Sequence, residues 1–498
     1  MHTAENAPTS TAPTPHPDPP AAPHGDPEPD TAPRKSWAVL ALALTAQILV
    51  VLDISVVNTA LPAIGKSLHL DSSDLQWLVT AYLLLSGGGL LLGGRIADLL
   101  PRRRVFLTGM TIFTSASLFS GFAGNAAELI AARATQGLGA ALMTPAALSI
   151  LMTTYSGAQR TKGLALWGAV GSLGVAAGVL FGGALTTWAG WQLIFWVNVP
   201  IGVVALALGL RVLPKDVTAR ADLAQFDLPG AVTVIGGLAA LMFGLASTSA
   251  HGWLSIRALV AFAASAVLLA AFVRIEKRSA RPLVPPHTWK VSTLVSGTTV
   301  MLGATALLVG TVFLTSIFFQ TVMGYSALRA GVAFLPLALA ITTGTHVASK
   351  LLAKTSPRNI AAGGLTLVTA GAALLSVMGS NGHFATDLLP GMLVLGFGVG
   401  MVFVSVAVTA MAGIPAQHAG MASGFLMTGH EVGAALGVAV LSAVATAAGN
   451  LTDPAGVVDG FTAAFAAAAV IAAAVGVVAY LRMPAARMTG AAAMHMHH

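Results

Sequence analysis

The chain has 498 residues, of which 25 are lysine or arginine and 18 aspartate or glutamate. Only 9% are charged, against about 25% in an ordinary soluble domain. Apolar residues make up 56% and mean hydropathy is +0.82. That little charge cannot cover the surface of a soluble fold this large, and the apolar runs are continuous rather than alternating. The expected class is therefore an all-α polytopic membrane protein, not a barrel, a cytosolic enzyme or a secreted scaffold. The absence of cysteine excludes disulfides, thiolate metal sites and thiol catalysis. The formal charge of +7 is read as an orientation signal, with no nucleic-acid partner.

Residues 1–34 hold ten of the 25 prolines and no apolar face, which predicts a disordered cytoplasmic tail. They lack the basic stretch and apolar core of a signal peptide. From Trp37 onward, apolar segments long enough to span recur. Fourteen are predicted: 37–59, 75–97, 105–124, 127–152, 162–186, 191–212, 228–248, 254–274, 293–319, 329–350, 359–379, 386–410, 418–446 and 460–481. With the N-terminus inside, 21 of the 25 basic residues fall on the cytoplasmic side. Three (Lys66, Arg257, Arg329) fall outside and Arg133 lies within a span. This split predicts an N-in, C-in topology. A loose repeat relates Gly94–Arg103 to Ser349–Arg358. It suggests two six-helix bundles, 35–213 and 291–482, separated by two inserted helices and a linker at 214–290, with a second cytoplasmic tail at 483–498.

An ionisable residue well inside a span costs about 2.5–3.5 kcal/mol on insertion scales and needs a reason. Three are so placed: Asp53, Arg133 and Glu431. Asp53 lies about 24 Å up span 1, and Arg133 about 9 Å down span 4 from the other side, so their depths agree. They either form an ion pair or face one water-filled cavity. Glu431 lies close to the midplane of span 13 with no basic residue in reach along its own helix, as a proton-exchanging carboxyl would. His430 was expected to point to another face. Pro145 and Pro336 are candidate kinks, and Gly174, Gly178, Gly182 and Gly183 allow close helix approach in span 5. No P-loop, HExxH or GxSxG motif occurs, so no enzymatic activity is expected, no cofactor is implied, and either an ion gradient supplies the energy or transport is passive.

Several stretches carry a family resemblance. Span 1 has Leu52-Asp53-Ile54-Ser55-Val56-Val57-Asn58-Thr59-Ala60-Leu61-Pro62. Span 4 has Arg133-Ala134-Thr135-Gln136-Gly137-Leu138-Gly139-Ala140-Ala141, an RxxQGxGAA element. Trp191–Pro200, with Asn198, and Gln320 to Gly331 add two further matches. Together they resemble the major facilitator superfamily, and most closely its fourteen-span drug:proton antiporters of the EmrB/QacA type.

The resemblance implies a proton-driven multidrug efflux antiporter of the bacterial plasma membrane, acting as a monomer on small amphipathic molecules. Asp53 would carry the proton and attract cationic substrate, with Arg133 and Gln136 beside it; the reading of Glu431 as a second proton or substrate site rests on its burial alone and not on the resemblance. Asn58, Asn198, Gln320 and His430 are candidates for the substrate cavity. Gly94, Asp98, Arg103 and Arg104 match a loop that braces the halves. Gly137, the span-5 glycines and the two prolines would serve conformational change. Departures from the family pattern are Leu99, Pro101, Val179 and the pair His430-Glu431. Rival readings are an exporter of one endogenous metabolite, a proton-coupled importer, and a non-transporting scaffold or sensor.

Overall fold

The computed structural model describes residues 35–155, 157–213, 227–279, 282–283, 290–377, 383–412, 414, 419–449 and 454–485. The two predicted tails therefore lie wholly (1–34) or largely (483–498) outside the described residues. The described secondary structure is helical throughout. In chain order the helices are α1 (Lys35–Leu68), α2 (Ser72–Leu99), α3 (Arg102–Ser120), α4 (Ala126–Thr154), α5 (Gly157–Ala189), the one-turn α6 (Leu193–Trp196), α7 (Asn198–Val212), α8 (Leu228–His251), α9 (Ile256–Arg278), α10 (Ser292–Thr321), α11 (Ala327–Leu351), α12 (Pro357–Leu375), α13 (Leu389–Met411), α14 (Ala419–Ala448) and α15 (Pro454–Arg482). A π-helical turn, Phe384–Leu388, leads into α13.

Each of the fourteen predicted segments coincides with a helix, the sixth being split into α6 and α7. Among the described residues, eleven are long and apolar enough to cross a membrane. Helix α3 is the least apolar of the rest and turns Gly109, Thr114, Ser117 and Ser120 inward against its neighbours. Local chemistry sets the helix starts. Asp71 and Asp74 form a capping box at α2, Asn125 caps α4 through the Glu128 N–H at 3.0 Å, and Ser326 caps α11. Pro145 and Pro336 lie inside unbroken helices. The Ala141 carbonyl one turn before Pro145 lies directly against Gly93 of α2.

Contacts sort the helices into an N-terminal group (α1–α7) and a C-terminal group (α10–α15). Four pairs join the groups: α2 with α14, α5 with α11, α1 with α10 and, more lightly, α1 with α11. Helix α8 lies beside α2 and α14, with Leu238 packed on Leu84 and Val432, and α9 packs on α8. The outward faces of α7, α9 and α15 leave Val203, Leu210, Val260, Val267, Val470 and Leu481 exposed, as lipid-facing helices do.

The groups close on one another at the end where α1 runs into α2. There Ser316 Oγ donates to the Asn58 carbonyl at 2.6 Å and Gln320 Nε2 to the Thr59 carbonyl at 2.9 Å. The Leu328 N–H donates to Thr187 Oγ1 at 3.1 Å. Gly183 sits against the Ala327 carbonyl, where any side chain would force α5 and α11 apart. Toward the other end the same face of α11 presents Thr342, His346 and Ser349, all exposed. The helix groups thus meet at one end, and toward the other the α11 face is open.

Candidate functional site

Five helices bring their polar side chains to one point inside the N-terminal group. Asp53 on α1 is 2% exposed, Arg133 on α4 1%, and Gln136, one turn on, is fully buried. Arg133 Nη1 donates to Asp53 Oδ2 at 2.5 Å and to Gln136 Oε1 at 2.7 Å. Gln136 Nε2 donates to Asp53 Oδ1 and to Ser117 Oγ of α3, both at 2.7 Å. Asn198, the first residue of α7, donates to Asp53 Oδ1 at 3.3 Å. Arg133 Nε reaches the Leu78 carbonyl of α2 at 3.3 Å. The guanidinium carbon stands 4.2 Å from the Tyr82 ring centroid and 5.9 Å from that of Phe195.

Of the two arrangements open to Asp53 and Arg133, the structure shows the ion pair. A pair so buried is stable only when its remaining lone pairs and protons are met, and here both carboxylate oxygens have donors. Removing or adding one proton would leave the ring of donors and acceptors mismatched. The ring is closed off from solvent in this conformation.

Asn198 joins this ring through its bond to Asp53. Asn58 is 3% exposed, its amide donates to the Ile54 carbonyl, and its own carbonyl joins the closure between groups, as does Gln320 through its bond to the Thr59 carbonyl. Gly174, Gly178 and Gly182 lie against Val51, Ser55 and Val56 of α1, so the span-5 glycines form the α1–α5 contact. Gly137 lies against the Tyr82 carbonyl and the Ser86 N–H of α2. At the α2–α3 junction, Gly94 in the last turns of α2 faces open space and Arg104 in the first turn of α3 is exposed. Arg103 Nη2 donates to the Leu210 carbonyl at 2.7 Å, tying α3 to α7 within one group. The Asp98 side chain lies outside the described residues.

Glu431 is not in this ring. It lies on α14 at the seam with α2, where Ser86 Oγ is 3.3 Å from its Oε2. His430, expected on another face, turns back so that Nδ1 is 3.4 Å from Glu431 Oε1, while its ring packs 6.1 Å from that of Phe403. Ser117, Tyr82 and Ser86 were not singled out in the sequence. A hydroxyl or phenol in an apolar helix is common, and only its placement opposite a charge marks it.

A membrane-embedded bundle of two helix groups, closed at one end and built round a buried charge, defines a multi-pass membrane transporter rather than an enzyme. The sequence pattern of the Major Facilitator Superfamily matches residues 43–438, and the chain belongs to that family. It is 38% identical over 460 residues to the puromycin resistance protein pur8 of Streptomyces alboniger, covering 89% of each chain. It is 37% identical over 460 residues to the cephamycin export protein CmcT of Amycolatopsis lactamdurans, covering 92% of this chain and 94% of that one. The fold resembles the crystal structure of the human organic anion transporter MFSD10, with a TM-score of 0.58 at 16% identity over 90% of this chain and 100% of that one.

Proposed function

We propose that the chain is a proton-driven exporter of small amphipathic molecules, of the fourteen-span EmrB/QacA type, acting as a monomer in the bacterial plasma membrane. The observation that carries this reading is the buried ring of Asp53, Arg133, Gln136 and Asn198. A closed charge centre in the transport half is of no use to passive diffusion, but gives an exchanger a place to take up a proton. With N-in, C-in orientation from the basic loops, the closed end is external and the opposite end faces the cytoplasm. The six-helix halves at 35–213 and 291–482 then rock about the seams. In the inward-open state a molecule enters from the cytoplasmic side or the inner leaflet. Protonation of Asp53 loosens its hold on Arg133, and the external closure at Asn58, Thr59 and Gly183 must part for release. Proton and substrate exchange because each favours a different arrangement of the same helices.

The test is transport of a drug panel in proteoliposomes under an imposed pH gradient, in both directions. Efflux driven by the gradient, abolished in Asp53→Asn with membrane insertion intact, is the expected result. Gradient-driven uptake would overturn export, and normal efflux by the variant would remove Asp53 from coupling. A second reading, a dedicated exporter of one self-made compound, is favoured by relatives named for puromycin and cephamycin. A panel in which one compound alone is carried would select it.

A further inference from the structure

The seam between α2 and α14 holds a titratable group that the Asp53 centre does not use. Of the four side-chain hydrogen bonds described above between the helix groups, the one at Ser86 and Glu431 alone involves an ionisable side chain. Its geometry carries information about the proton. Ser86 Oγ is 3.3 Å from the Leu83 carbonyl and 3.3 Å from Glu431 Oε2. A hydroxyl has one proton to give. With Glu431 ionised, Ser86 serves one of these oxygens and leaves the other facing a lone pair. With the proton on Oε2, both contacts close: the carboxyl O–H donates to Ser86 Oγ and the hydroxyl donates to Leu83. There is no slack for another solution, because Gly87 is pressed against the Glu431 Cβ and backbone.

We propose that Ser86 and Glu431 form a proton-operated latch between the two halves, closed when Glu431 holds its proton and released when it is lost. This rests on the reading of the chain as a proton-driven transporter. Few charged or titratable groups face the carboxyl. His430 adjoins it on α14, and Tyr82 lies one turn from Ser86 on α2, with Arg133 over its ring. Helix α8 presents Leu238 to the neighbouring Val432, and α10 presents Thr298 and Leu302 to α14 at Gly429 and Gly433. On release the Ser86 contact parts and the freed carboxyl turns its O–H toward His430; the O–H bond breaks as an N–H bond forms at Nδ1, which lies 3.4 Å from Oε1 in the closed arrangement. Neutral acid and imidazole become carboxylate and imidazolium, and the imidazolium, 30% exposed, passes a proton to water. An opening of α2 moves Tyr82, the floor under Arg133, so the latch and the Asp53 centre act on one another through a single helix.

The chain contains no cysteine, so two can be introduced for spin labelling. Thr153 on α4 and Ser349 on α11 are exposed in opposite halves, at the end away from the closure. In lipid nanodiscs without a gradient, the 153–349 distance distribution is expected to change with pH. Glu431→Gln, whose amide donates to Ser86 at every pH, should lose that change. Ser86→Ala, which removes the partner hydroxyl, should lose that pH-dependent change as well. Asp53→Asn should keep a pH-dependent change while losing coupled transport, which separates failure of the latch from failure of the transport reading. A Glu431→Gln protein that titrates like its parent would overturn the latch.

Discussion

The Asp53–Arg133 pair makes a quantitative demand on stability. Replacing Arg133 by methionine keeps most of the side-chain volume but leaves a carboxylate 2% exposed with only neutral donors, from Gln136 and Asn198. It also strips the Gln136 Oε1 and Leu78 carbonyl of their donor. Removing one partner of a buried pair costs about 3–5 kcal/mol, whereas replacing both by neutral groups is often close to neutral. Asp53→Asn in the Arg133→Met background should therefore recover at least about 2 kcal/mol. The double variant should be more stable than Arg133→Met alone, although it carries one more substitution. The assay is unfolding by a denaturing detergent in mixed micelles, followed through helical circular dichroism, for the four proteins of the cycle. Additivity of the two single changes within about 0.5 kcal/mol would refute the pairing.

Three other outcomes are expected. Ser316→Ala with Gln320→Ala removes two bonds worth about 0.6 kcal/mol each in a bilayer setting, a roughly eightfold shift toward the externally open state. Spin labels at the external ends of α1 and α10 measure it, and an unchanged distribution would refute the closure. Gly137→Ala should destabilise by about 1–3 kcal/mol, because the new methyl meets the Tyr82 carbonyl. Gly94→Ala, with open space around it, should be neutral or stabilising by up to about 1 kcal/mol; thermal aggregation of the purified proteins distinguishes the two. A cysteine at Ser349 should react with an impermeant thiol reagent from the cytoplasmic side and one at Ser255 from the outside, and the reverse would refute the N-in orientation.

Much of the architecture was legible because lipid imposes length and polarity on a chain. Each apolar run became a helix, and depth arithmetic along spans 1 and 4 brought Asp53 level with Arg133. Edges were less legible. Helix α1 runs to Leu68, past Pro62, rather than ending near residue 59, because its last turns pack on α2 and Asp71 starts the next helix. The partners of Asp53 were only half legible. Gln136 follows Arg133 on the same face of α4, but Asn198, and Ser117 behind Gln136, arrive from helices that no spacing rule links to span 1. Asn198 was expected in a cavity because an amide in an apolar span suggests a ligand, whereas a buried carboxylate proved to be its partner. His430 was misplaced by the rule that neighbours on a helix point apart. A long imidazole and a carboxylate can both bend back along the axis, and these do.

Helix α8 makes the molecule unequal on its two flanks. It lies along the α2–α14 seam, whereas among the described residues the α5–α11 seam has no inserted helix against it. Any parting of α2 from α14 is curtained from the surrounding lipid, while a parting of α5 from α11 opens straight into it. If the chain exports as proposed, a hydrophobic compound dissolved in the inner leaflet would have a side door beside Thr342 and His346, and the protein would draw cargo from the membrane as well as from water.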